Sequence, residues 1–189
     1  MGNRKTIVEK SSFLNPLKSF FCIFLGLTLI SVGSVLSEKI QKTGLSDEDL
    51  IQLAKNFEYR LSDGSRYRLE DGKYEAGDSL KDYARLRLAD LAIGDLNGDG
   101  KMDVAVVLVS NFGGSGHFYE LTALLNDGRS LRQANNLELG DRVNIESLEI
   151  EDQRIRIMIL THGPDDPMCC PSQEKELVAY LKGGKLVLM

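Results

Sequence analysis

Leu91-Ala92-Ile93-Gly94-Asp95-Leu96-Asn97-Gly98-Asp99-Gly100-Lys101-Met102-Asp103-Val104-Ala105-Val106-Val107 sets an oxygen-rich nine-residue loop between two apolar runs. Both runs are strand-like in composition. Side-chain oxygens fall at loop positions one, three, five and nine, on Asp95, Asn97, Asp99 and Asp103, with Gly100 at position six. A hard divalent cation takes several oxygen ligands, and alternate loop residues can all turn inward where a glycine allows a sharp bend. The expected ligands are the carboxylates of Asp95, Asp99 and Asp103, the amide oxygen of Asn97 and the backbone carbonyl of Lys101. The expected ion is Ca²⁺. An EF-hand would carry a bidentate glutamate at position twelve, and Val106 stands there. No recognisable helix flanks the loop, so this is a turn between strands and not an EF-hand.

The run from Ile93 to Val106 resembles the calcium loop of FG-GAP repeats, found in integrin-type propellers and bacterial surface proteins. The resemblance covers about 15 residues and implies the same five ligands, Asp95, Asn97, Asp99, Lys101 and Asp103. A propeller needs several blades of about 40 residues each, and this chain has one such loop, so a full propeller is excluded. A longer stretch also resembles a group of uncharacterised bacterial exported proteins. It runs from Gly94 through Gly113-Gly114-Ser115-Gly116 and Gly140-Asp141-Arg142-Val143 to His162-Gly163-Pro164-Asp165-Asp166-Pro167-Met168-Cys169-Cys170-Pro171. That resemblance implies export and no particular activity.

Away from the loop, period-two patterning dominates. Strands are expected at Tyr83 to Leu88, Asp103 to Ser110, Phe118 to Leu125, Arg142 to Ile150, Arg154 to Leu160, Glu176 to Leu181 and Lys185 to Leu188. The stretches 142–150 and 154–160 alternate polar with apolar residues around Asp152, the pattern of antiparallel strands with one wet face. Val104 to Val109 is apolar throughout and reads as a central strand. Asp71-Gly72, between Arg66-Tyr67-Arg68-Leu69 and Lys73-Tyr74-Glu75, predicts a tight hairpin. Ser46 ahead of Asp47-Glu48-Asp49 is a capping-box start for one helix over 47–56. The fold class is therefore mainly β, an antiparallel meander sheet with one N-terminal helix. The chain is long enough for one domain, with a single sheet-based core expected from about residue 75 onward.

The N-terminus adds a location. Residues 1–18 carry Arg4, Lys5, Lys10 and Lys18 against Glu9, and residues 19–37 carry no charge. A basic start followed by an apolar run is an export signal, with Val35 and Ser37 small enough to precede cleavage. Its length also suits an uncleaved membrane anchor. In both cases the residues from Glu38 onward lie outside the cytoplasm. Cys22 sits too early in the apolar run to be a lipid-attachment site. The expected organisation is a signal peptide or anchor over 1–37, a linker, short helix and hairpin over 38–75, and a β domain with the calcium loop over 76–189. Without residues 1–37 the chain keeps 19 basic and 27 acidic residues, a net charge of −8. That balance excludes a nucleic-acid partner. It leaves an unknown protein or envelope component as partner, and the membrane only through an uncleaved N-terminal segment.

Cys169 and Cys170 are the only cysteines beyond Cys22. They are adjacent, so they cannot tie distant strands together. A disulfide between them would be strained, since neighbouring Cα atoms sit about 3.8 Å apart against a usual disulfide span of about 4.4–6.8 Å. Pro167 and Pro171 restrict the loop on both sides. Three readings follow: a disulfide that stiffens a loop, intermolecular pairing or free buried thiols, or a redox or soft-metal site of Cys169, Cys170 and His162. Gly113 to Gly116 lacks the Lys-Ser/Thr pair of a phosphate loop and is expected to join strands. Asp165-Asp166 is expected to turn its loop. No nucleophile elbow or catalytic triad is recognisable. The functional expectation is an exported, calcium-stabilised β domain acting as a binding or structural module of the bacterial cell envelope. Its alternative is an extracytoplasmic redox or transition-metal protein built on the Cys169-Cys170 loop.

Overall fold

The computed structural model describes residues 44–79 and 82–189. The expected export signal or anchor over 1–37 and the start of the expected linker lie outside them. Among the described residues no helix is long and apolar enough to cross a membrane.

A single helix, α1 (Asp47–Lys55), opens the described chain. The Ser46 hydroxyl accepts from the Asp49 amide, and the Asp49 side chain takes the Ser46 amide in return, so the capping box forms. Strands β1 (Glu58–Arg60) and β2 (Arg66–Arg68) pair as a small hairpin. The remaining strands are β3 (Lys73–Ala76), β4 (Ala84–Gly94), β5 (Asp103–Asn111), β6 (Phe118–Asn126), β7 (Leu131–Asp141), β8 (Asn144–Glu151), β9 (Arg154–Thr161), β10 (Gln173–Lys182) and β11 (Lys185–Leu188). They form two antiparallel sheets, one of five strands ordered β3-β4-β5-β6-β7 and one of four ordered β11-β10-β9-β8. The mainly β, meandering character matches the sequence. The single sheet does not, because the meander divides at Arg142 and Val143, where the chain passes from one sheet to the other. Arg142 has φ +51° there, and its amide donates to the His117 carbonyl.

Three layers result. Ala105, Val107, Leu121 and Ala123 of the larger sheet pack with Ile155, Ile157 and Ile159 of the smaller one. On the opposite face, Val104, Val106, Leu108 and Leu124 pack with Leu50 and Ala54 of α1 and with Tyr59 of the hairpin. Strand β5 is thus buried on both faces, which is why it has no polar alternation. The Tyr59 hydroxyl donates to the Ala54 carbonyl at 2.9 Å and ties the helix end to the hairpin.

Irregularities in the strands keep the layers consistent. The β4–β5 register shifts between Leu88 and Asp90, leaving Ala89 as an extra residue. Leu86 and Leu88 before the bulge, and Leu91 and Ile93 after it, therefore all reach the helix side despite opposite parity. Gly94 ends β4 beneath Ile150 of the smaller sheet, and a Cβ there would sit 2.5 Å from the Ile150 Cγ2. Only glycine lets the two sheets approach this closely. At the opposite edge the Asn135 amide bridges the sheets, donating to the Leu186 carbonyl at 3.0 Å and accepting from the Leu186 amide at 2.6 Å.

Two local expectations are corrected. Asp71 and Gly72 do form a tight turn, both with positive φ and with a single bridge between Glu70 and Lys73. The ladder stops there, however. Strand β2 pairs backward with β1 and β3 pairs forward with β4, because Tyr59 and Leu69 are drawn into the core beside α1. Strand β7 is an addition that the alternation did not reveal. It carries two register shifts against β6, so its inward residues Ala134, Leu137 and Leu139 lack an even spacing.

Candidate functional site

The Asp95–Asp103 loop closes the β4–β5 hairpin, with Gly94 paired to Asp103 across its base. Its aspartates and asparagine turn inward onto the loop's own amides. The Asp95 carboxylate accepts from the amides of Asn97 (3.2 Å), Gly98 (2.7 Å) and Gly100 (2.9 Å). The Asn97 side-chain oxygen accepts from the Asp99 amide at 2.8 Å, and Asp99 from the Lys101 amide at 2.9 Å. Gly98 (φ +75°) and Gly100 (φ +79°) make the coil possible, since residues with a Cβ rarely adopt that conformation.

Asp103 differs from the others because it is fully buried. One carboxylate oxygen accepts from the Leu96 amide at 3.0 Å and the other from the Asn126 amide at 2.8 Å. It therefore joins the loop to the end of β6, and the Asn126 side-chain amide adds a bond to the Met102 carbonyl at 3.0 Å. Burial pushes the Asp103 carboxyl above the ordinary aspartate range. The two amide bonds oppose that rise, and the negative charges of Asp99 and Asp95 add to it. Asp99 is held below its ordinary range, first by the Lys101 ammonium, which donates to it at 2.9 Å, and also by the Lys101 amide.

The loop reaches across the sandwich as well. Leu96, at loop position two, is 2 % exposed and inserts between the two sheets. Gly98 lies against the Gln153 side chain in the β8–β9 turn. One end of the molecule is thus organised around this loop, with both sheets and the β6 terminus meeting there. Asn126 and Leu96 are the members that pattern reading of the sequence passed over.

The donor set consists of oxygens alone, which suits calcium over softer metals. In the described residues no three His, Cys, Asp or Glu side chains converge closely enough to hold a metal. The loop carboxylates are occupied instead by amides and by Lys101.

The second predicted constellation lies in the loop joining β9 to β10. Cys169 and Cys170 are disulfide-bonded to each other, with Cα atoms 3.7 Å apart. The His162 Nε2 faces the Met168 carbonyl at 3.2 Å and not a sulfur. Asp166 organises this loop, accepting from the Gly163 amide and from the amide and hydroxyl of Ser172, all at 2.8 Å. The turning role expected of the Asp165-Asp166 pair thus falls to Asp166. The disulfide borders a shallow cleft of about 580 Å³ shared with Arg87, His117 and Arg142. The glycine-rich stretch expected to join strands does so between β5 and β6, held by the Asn111 amide on the Gly114 and Gly116 carbonyls.

No protein-family model matches this chain, and no curated protein or solved structure is similar to it.

Proposed function

We propose that this chain is an exported β-sandwich clamped by a calcium ion, serving as a binding or structural module of the bacterial cell envelope. The observation that carries the reading is the coiled Asp95–Asp103 loop, in which three carboxylates and an amide oxygen fall within nine residues at the junction of both sheets. Like charges at such spacing repel, and the raised Asp103 carboxyl reflects that repulsion on top of its burial. A cation would relieve it. Asp95, Asn97, Asp99 and Asp103 would supply side-chain oxygens and Lys101 its carbonyl, while the Lys101 ammonium would leave Asp99. Calcium would supply charge neutralisation and rigidity here, with no chemical step attached. If the site binds at about 0.1 mM and its surroundings hold about 1 mM calcium, occupancy adds roughly 1.4 kcal/mol of stability. The redox or transition-metal alternative draws less support, because the two sulfurs are spent on each other and His162 is turned to a carbonyl.

Titration calorimetry tests the reading. Calcium added to chelator-treated protein is expected to bind one ion per chain, and Asp95→Ala or Asp99→Ala to weaken binding by tenfold or more, about 1.4 kcal/mol. Heats indistinguishable from buffer in the parent protein would sink the calcium assignment.

A further inference from the structure

The larger sheet is only partly covered on its helix side. Helix α1 and the β1–β2 hairpin shield it as far as the turn at Leu61 to Ser65, and beyond that turn the sheet surface opens into a groove of about 500 Å³. Phe118 and Phe112 both line it, and they are 49 % and 41 % exposed. Large aromatic surface left in water beside a concavity marks a contact site more often than a lone exposed side chain does.

The charge around those rings has one sign. Asp63, Glu120, Glu138 and Asp141 all line the groove, and no lysine, arginine or histidine does. Glu120 and Glu138 are directly opposed across β6 and β7, a placement that costs stability when both are charged. Glu120 is buried and its carboxylate is held by the Ser62 amide and by the Asn136 side chain, both neutral. The Glu138 carboxylate has no partner among the described residues. Asp141 alone has a cation beside it, Arg142, which lies outside the groove lining. The unneutralised Glu120–Glu138 pair and the two exposed rings call for the same complement: a positive charge carried on an apolar stem. Lysine and arginine have that form, with methylenes that lie along aromatic rings and a head that reaches a carboxylate.

We propose that this groove docks a lysine- or arginine-bearing peptide segment of a partner protein. The proposal gives the partner class of the binding module and rests on the binding half of that reading, not on calcium. The groove lies at the Ser110 end of β5 and the calcium loop at its Asp103 end, about 25 Å apart along the strand at about 3.3 Å per residue. The two sites can therefore fail independently.

Fluorescence anisotropy with a labelled peptide of alternating lysine and leucine tests the proposal on the full chain. Binding is expected, and it is expected to weaken steeply as salt rises, because exposed charges are screened. Phe118→Ala and Glu138→Gln should each reduce affinity by about two- to fivefold, and Glu138→Lys by more. Both positions are exposed, so unchanged thermal midpoints would show the fold intact. Glu149→Gln, on the exposed face of the smaller sheet, should bind as the parent does. The proposal is overturned if the groove variants bind like the parent, or if Glu149→Gln weakens binding equally. Equal binding of a glutamate–leucine peptide, or of a neutral oligosaccharide in its place, would overturn it as well. Addition of chelator is expected to leave peptide binding in place. Loss of calcium binding with peptide binding retained would count against the clamp alone.

Discussion

Asp103→Ala is expected to destabilise the protein by about 3 kcal/mol even in chelator. The buried Leu96 and Asn126 amides both lose their acceptor, and each buried donor left unsatisfied costs about 1–3 kcal/mol. Removing a desolvated carboxylate returns part of that loss. Asp103→Asn keeps one acceptor oxygen and is expected to cost about half as much. Urea unfolding measures both, with the midpoint moving and the slope unchanged. The prediction separates two roles of one residue. The structural role, bridging the loop to β6, needs no ion, whereas the proposed ligand role does. A change below about 0.5 kcal/mol, the ordinary range for surface substitutions, would mean that Asp103 does not tie the loop to β6.

Leu96→Ala should be comparably severe, at about 2–5 kcal/mol, the range for truncating a buried leucine. Leu96 sits within an otherwise hydrophilic loop, yet its side chain fills space between the sheets beside Ile155 and Ile157. Its loss would leave a cavity and free the loop that it anchors. Amide exchange at residues 97–101 is therefore expected to accelerate together with the fall in stability. Met102 provides the contrast, since it is 44 % exposed in the same loop, and Met102→Ala is expected to stay within about 0.5 kcal/mol. Equal effects at the two positions would mean that Leu96 does not pin the loop to the core.

These two residues show how far the sequence could be read. The turn at 95–103 and its flanking strands were legible because the spacing of oxygen-bearing side chains and glycines and the strand composition are local. The same holds for the capping box at Ser46 and for the break at Asp152 between β8 and β9, where Asp152 and its neighbour Gln153 have positive φ. The apolar run of β5 correctly indicated a central strand. What it could not indicate was the identity of its two coverings, the helix with its hairpin on one side and a second sheet on the other. Strand β7 was hidden because its bulges against β6 erase alternation, and because asparagines such as Asn135 and Asn136 are depleted in strands. In the fold, Asn135 bridges to the backbone of Leu186, while Asn136 holds Glu120 and the Arg60 carbonyl. The groove was hidden for a similar reason. Phe112 and Phe118 flank a glycine-rich turn, and the opposition of Glu120 to Glu138 exists only in the ladder register.

The calcium clamp is tested most directly by thermal unfolding of the protein in millimolar calcium and again in excess chelator. The account predicts a midpoint about 3–6 °C higher with calcium, the shift expected from roughly 1.4 kcal/mol in a domain of this size. It also predicts that Asp95→Ala and Asp99→Ala abolish the difference. Coincident midpoints for the parent protein in the two conditions would contradict it and leave the loop as a self-bonded turn.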